Sequence, residues 1–235
     1  MRFINLNNQG DNLMSWFTRA LNYSVGKKIL MALTGLFLIT FLVVHLTGNL
    51  MLYGGEAAFN NWVATLEGPL APFIKIMEVV LVLGFVLHIY DGVRVTLHNW
   101  GARPEGYHFK RTDPGSSFAS RTMWVSGSIV FIFLVVHLRN LWFEFKFGAV
   151  ALGKVTPFQI TTQVLSDPIY GTLYLIASVI LGFHLWHGFQ SAFQTLGLNH
   201  KKYTPAIKFI GKAYAIIIAG GFASLPLYFM IIGGK

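Results

Sequence analysis

The sequence predicts an all-α fold, an integral membrane bundle of five transmembrane helices. Three observations predict it. Of 235 residues, 54% are hydrophobic and only 11% are charged, well under the roughly 25% of a soluble domain. Five windows, 29–52, 73–97, 122–143, 168–195 and 205–233, each hold the about 20 apolar residues that cross a bilayer. Basic residues also collect in alternate loops.

The first window has no charged residue between Lys28 and Glu56, and the fourth has none between Asp167 and Lys201. The second carries Lys75, Glu78, Asp91 and Arg94 towards its ends. The fifth has Gly220-Gly221 inside and Pro226 near its end, as expected of a helix lying as a lid on the bundle. Residues 1–28 lack an early apolar run and a clear cleavage site, so no removable signal is expected. Their aromatic and basic residues suit an interfacial segment, which leaves 29–235 as the membrane domain.

A net charge of +9 could suggest nucleic acid, but its distribution argues otherwise. Arg19, Lys27 and Lys28 precede the first helix. Arg94, Arg103, Lys110, Arg111 and Arg121 lie between the second and third cores, and Lys201, Lys202, Lys208 and Lys212 between the fourth and fifth. The intervening loops are poorer in cations. The positive-inside rule puts the basic side in the cytoplasm of an inner membrane, with the N-terminus inside and the C-terminus outside. The same basic loops could dock a partner. With no cysteine, the chain alone can build neither disulfides, thiolate zinc sites nor iron–sulfur clusters.

The chain repeats itself. FLVVHL occurs at residues 41–46 and again at 133–138. Thr34-Gly35 precedes His45 as Ser126-Gly127 precedes His137, at the same interval. The next helices share His-x-x-x-Gly, as His88 with Gly92 and His184 with Gly188. This pattern reads as an internal duplication of a helical hairpin.

Depth sorts the four histidines. At 1.5 Å per residue, His45 lies roughly 25 Å from Lys28 and His137 roughly 24 Å from Arg121, so both sit towards the outer side. His88 lies roughly 9 Å from Arg94, and His184 roughly 15 Å from the helix end near Thr195, so both sit towards the inner side. An ionisable residue inside a membrane span is a functional candidate by default. Paired imidazoles without carboxylates or thiolates suit haem iron, which takes axial ligands on opposite faces, and a four-helix bundle can hold such a ring between its helices. The first four helices thus read as a haem-binding bundle for two haem b groups, with His45 and His137 on the outer one and His88 and His184 on the inner one. A proton relay or interhelical hydrogen bonds remain alternatives. His187 rivals His184 but is in register with Asp91, not with His88. His98, His108 and His200 fall at or beyond the inner boundary.

Further residues follow from this arrangement. Gly35 and Gly127 would let their helices pass the inner macrocycle, while Gly92 and Gly188 would lie beside the propionate edge. Ordinary small-residue packing is the competing account of all four. Lys28, Arg94 and Arg121 on the inner side, with Lys27 beside them and Arg139 on the outer side, could meet propionates or serve only as topology charges.

ALTGLFLITFLVVHLTGN, LHIYDGVRV, the second FLVVHL and FHLWHGFQSAF together resemble the di-haem cytochrome b membrane subunit of succinate:quinone oxidoreductases, which include succinate dehydrogenases and fumarate reductases. The resemblance covers about residues 25–230. It implies axial ligands at His45, His88, His137 and His184. It also implies a partner flavoprotein with FAD, an iron–sulfur subunit, and a membrane quinone, generally menaquinone, oxidised or reduced near the outer haem. Assembly of several complexes together is open. Electrons crossing between haems would feel the membrane potential, about 2.3 kcal/mol per charge per 100 mV.

Quinone chemistry exchanges protons, which makes Glu67 and Glu78 candidates, with Trp62, Tyr53 and Phe59 as aromatic walls. The competing reading of Glu78 is an i,i+3 pair with Lys75; that of Glu67 is a plain loop carboxylate. Some family members carry a glutamate two residues before the fourth ligand, where this chain has Gly182. The alternatives for the whole chain are a cytochrome b subunit of another dehydrogenase, such as a hydrogenase or formate dehydrogenase, and a non-redox membrane anchor.

Overall fold

The computed structural model describes residues 23–101 and 118–232. Among these residues regular structure is helical, with no strand. Five helices are long and apolar enough to cross a membrane. The first, α1 (Ser24–Leu50), ends in a tight turn, Met51–Gly54, and continues as α2 (Gly55–Glu67). Gly55 makes the bend possible, since its φ of +80° lies where side chains are disfavoured. Next come α3 (Ala71–Gly101) and α4 (Phe118–His137). A widened π turn, Leu138–Trp142, joins α4 to the one-turn helix α5 (Phe143–Lys146). The remainder is α6 (Pro157–Ser166), α7 (Pro168–Thr195) and α8 (Thr204–Ile232).

The long helices fall close to the expected windows, and the fourth window matches α7 end to end. The sequence reading has no counterpart for α2 and α6. Both lie between windows in stretches too polar and too short to span. They cap one end of the bundle, called here the capped end. The other, basic end carries Lys27, Lys28, Arg94, Lys201 and Lys202. Residues 1–22, and Arg103, His108, Lys110 and Arg111, lie outside the described residues, as does the side chain of Arg121.

Local chemistry starts α6 and α7. Thr156 accepts a hydrogen bond from the Gln159 amide while the Gln159 side chain takes the Thr156 N–H, a reciprocal cap that satisfies two orphan donors. Asp167 Oδ1 accepts from the amides of Ile169 (2.9 Å) and Tyr170 (2.8 Å), and Pro168 fills the first helical position, where no N–H is needed. The caps also meet each other. Thr156 Oγ1 donates to Glu56 Oε1 at 2.8 Å, and the Phe158 amide donates to Asn60 Oδ1 at 3.0 Å, tying α6 to α2.

The bundle core is α1, α3, α4 and α7. Helix α1 packs on α3 and α7, and α4 packs on α7, while α3 and α4 barely touch. The fifth span, α8, lies along α7 and reaches α1. Small residues explain its closeness. A methyl on Gly182 would meet Ala219 Cβ at 2.8 Å, and one on Gly221 would meet Leu46 Cδ2 at 2.7 Å. Tyr214 Oη donates to the Ile39 carbonyl at 2.6 Å and pins α8 to α1. Buried apolar residues gather under the capped end (Leu52, Phe59, Val63, Val164, Leu225, Phe229) and at mid-height (Leu46, Leu185, Ala215, Ile218). Elsewhere large apolar side chains face outwards, Val79, Val82, Leu83 and Val86 on α3 among them. Such an outer surface suits hydrocarbon and not water.

Candidate functional site

The four histidines of the repeat come together as two pairs. His45 on α1 faces His137 at the end of α4, with ring centroids 5.7 Å apart and planes at 86°. His88 on α3 faces His184 on α7 at 6.4 Å and 78°. The first pair lies towards the capped end and the second towards the basic end. Two imidazole nitrogens bound in line to one metal, at about 2 Å each, separate the ring centroids by roughly 6 Å. Both spacings fit that requirement. Both pairs are T-shaped, an arrangement that direct ring packing also favours.

The repeat extends beyond the histidines. Thr34 Oγ1 lies 3.2 Å from His88 Nδ1, and Ser126 Oγ lies 3.2 Å from His184 Nδ1. Each hydroxyl also donates within its own helix, Thr34 to the Leu30 carbonyl at 2.8 Å and Ser126 to the Met123 carbonyl at 3.0 Å. A hydroxyl has one proton. With that proton on a carbonyl, its lone pair accepts from Nδ1–H. Both imidazoles are then held as the tautomer whose Nε2 is free for a metal, the usual job of an outer hydrogen-bond partner.

Two of the glycines lie against imidazoles. A methyl on Gly35 would meet His88 Cε1 at 3.3 Å, and one on Gly127 would meet His184 Cε1 at 3.5 Å. At Gly35 an added methyl would crowd the imidazole, while at Gly127 it would make ordinary van der Waals contact. Gly92 and Gly188 face methionine methyls of the partner helix, Met31 at 3.5 Å and Met123 at 3.8 Å from such a methyl group. Phe41 stacks on His45 at 5.2 Å, and its repeat mate Phe133 lies 5.8 Å from His137. The sequence reading missed the methionines and phenylalanines, although the 92-residue offset relating His45 to His137 also relates Met31 to Met123 and Phe41 to Phe133. Phe222 of α8 reaches His45 at 5.6 Å.

No protein-family model, curated protein or solved structure matches this chain. The functional reading therefore rests on geometry and on the motifs.

The other candidates are scattered. His187 is half-buried, and His98 and His200 are exposed. Lys28 is exposed and Arg94 half-buried at the basic end. Arg139, 64% exposed, pairs with Glu144 at 2.8 Å. Glu67 and Glu78 do converge, but on a residue the sequence reading overlooked. Lys146 Nζ lies 2.9 Å from Glu78 and 3.9 Å from Glu67. The expected Lys75–Glu78 pair gives way to this longer-range one, because the π turn and α5 bring Lys146 over the start of α3. The aromatic walls are not assembled around these carboxylates. Trp62 sets its indole nitrogen against Gly48, Phe59 is buried in the core, and Tyr53 Oη donates to Ser224 Oγ at 2.7 Å.

Two buried features stand out. Asp91 is fully buried and neither carboxylate oxygen has a hydrogen-bond partner; Lys27 and Arg94 are the cations acting on it. Near the capped-end pair, His137 Nδ1, Asn140 Nδ2 and Tyr174 Oη are all buried without a partner.

Proposed function

We propose that the chain is the membrane anchor and di-haem cytochrome b subunit of a succinate:quinone oxidoreductase, passing electrons between an iron–sulfur subunit and a membrane quinone of the menaquinone type. One observation carries the reading: two facing imidazole pairs at separate levels, each joining the two hairpins, spaced as a bis-imidazole metal needs. The motif resemblance supplies the choice of dehydrogenase.

His45 and His137 would hold one haem, and His88 and His184 the other. Bound haem supplies a one-electron iron couple at each level. The chain does the rest. Thr34 and Ser126 orient the basic-end ligands, Phe41, Phe133 and Phe222 exclude water around the capped-end ligands, and the two levels set a path across the bilayer. The basic end, on this reading cytoplasmic, offers Lys28, Arg94 and their neighbours to the iron–sulfur partner. Quinone would exchange electrons at the capped end, where Glu67 and Glu78 pair with Lys146.

A haemochrome assay on the purified chain tests this directly. The expected content is two b haems per chain. His45→Ala or His137→Ala should each leave one haem with a single shared potential, and His88→Ala or His184→Ala should leave the other. Two haems surviving in all four variants, or none in the parent, defeats the proposal. Co-purification of a flavoprotein that oxidises succinate separates this complex from a hydrogenase or formate dehydrogenase.

A further inference from the structure

We propose that Asn140 and Tyr174 are positioning residues for His137: through one shared buried water they take up the Nδ1 hydrogen of that imidazole and set the potential of the capped-end haem. The inference rests on the haem reading and goes beyond it.

The chemistry begins with His137. A neutral imidazole that gives Nε2 to a metal carries its hydrogen on Nδ1. At the basic end the equivalent hydrogens point at Thr34 and Ser126. No hydroxyl is supplied to His137, and its Nδ1 is buried without a partner. Two other buried polar atoms in the same region share that condition, Asn140 Nδ2 and Tyr174 Oη. The Asn140 amide acts on the Tyr174 hydroxyl, and the Tyr174 ring sits 5.8 Å from the His137 ring. Three adjacent orphans are unusual, since buried polar groups are almost always paired.

One water satisfies all three. It accepts from His137 Nδ1–H and Asn140 Nδ2–H and donates to Tyr174 Oη, three bonds, which is typical of a buried water. Local backbone supports the arrangement. Asn140 lies in the π turn Leu138–Trp142 that follows His137. Such turns recur at functional positions, and this one re-aims the side chains after the ligand. Tyr174 is held by Phe133 at 4.9 Å and belongs to the apolar core under α2 and α6, so its hydroxyl has no route to bulk water.

An acceptor on Nδ1–H makes the ligand imidazole more basic and favours the oxidised iron. Loss of the acceptor should therefore raise the capped-end potential. The test is a redox titration of the detergent-solubilised protein carrying Tyr174→Phe, Asn140→Leu or both. The two potentials are first assigned with the axial-histidine variants. The expected result is a rise of the capped-end potential by up to tenfold in the reduced-to-oxidised ratio, about 59 mV for one electron. The basic-end potential stays fixed, and the double variant goes little further than either single one, because both residues serve one water. Asn140→Ser, which can still hold a water, should return most of the shift. Two retained haems with an unmoved capped-end potential overturn the inference alone, as does an equal movement of both potentials. A parent protein without haem overturns the underlying functional reading as well.

Discussion

Thr34→Val isolates the hydroxyl that holds His88. Valine keeps the shape and removes the oxygen. Thr34 is only 9% exposed, so no bulk water replaces what is lost. The His88 Nδ1–H, 3.2 Å from that oxygen, is left without its partner in a half-buried site, at about 1–3 kcal/mol. Removal of outer partners of metal ligands is usually felt as 10–100-fold in affinity, about 1.4–2.7 kcal/mol, and the two estimates overlap. On the haem reading, the assay is equilibrium competition for haem between the protein and an apoglobin, read as the fraction of basic-end haem retained. Thr34→Val should lose that haem at least tenfold more readily while the capped-end haem stays. Thr34→Ser should behave as the parent. Equal weakness of the valine and serine variants would mean that packing, and not the hydroxyl, matters, and the tautomer argument would fall.

Gly221→Val drives a side chain into Leu46, whose Cδ2 is already 2.7 Å from the added Cβ; overpacking of this kind costs about 1–3 kcal/mol, read as a lower thermal midpoint in detergent, whereas Gly220→Ala, with nothing within 4 Å, should be close to neutral. Lys146→Gln removes both of its ion pairs, but Lys146 and Glu78 side chains are 29% and 35% exposed, so a double-mutant cycle with Glu78→Gln should give a coupling under about 1 kcal/mol; a much larger value would show that the pair is shielded from solvent. Asp91→Asn keeps the shape and gives up no hydrogen bond, since neither carboxylate oxygen has one; the folded protein and, on the haem reading, both haems should survive, and an unfolded variant would point to an essential role for the carboxylate facing Lys27 and Arg94.

The five long helices are legible because a membrane span declares itself by length and apolarity, with little dependence on neighbours. The histidine pairing is legible through register: a repeated hairpin places His45 opposite His137 and His88 opposite His184 once the helices are set antiparallel. The capping helices escape a hydropathy reading, for their apolar faces are short and made by tertiary contact. Thr156-Pro157-Phe158-Gln159 did carry a capping-box signal for α6, unused at the sequence level. Lys146 could not be found as the partner of Glu78, since that contact depends on where a π turn directs the chain. The glycines show a subtler limit. Their spacing marks close approach, but only coordinates reveal that the neighbour of Gly35 and Gly127 is an imidazole.

The clasps between hydroxyl and imidazole are internal to each hairpin: Thr34 with His88 in one, Ser126 with His184 in the other. The facing rings instead join one hairpin to the other. A unit of half the length, associating with its own copy about a two-fold axis, would already possess every contact just named. On the haem reading, the porphyrin irons are then the rivets between two self-sufficient halves, and insertion of the cofactor belongs after synthesis of the second half, not during the first.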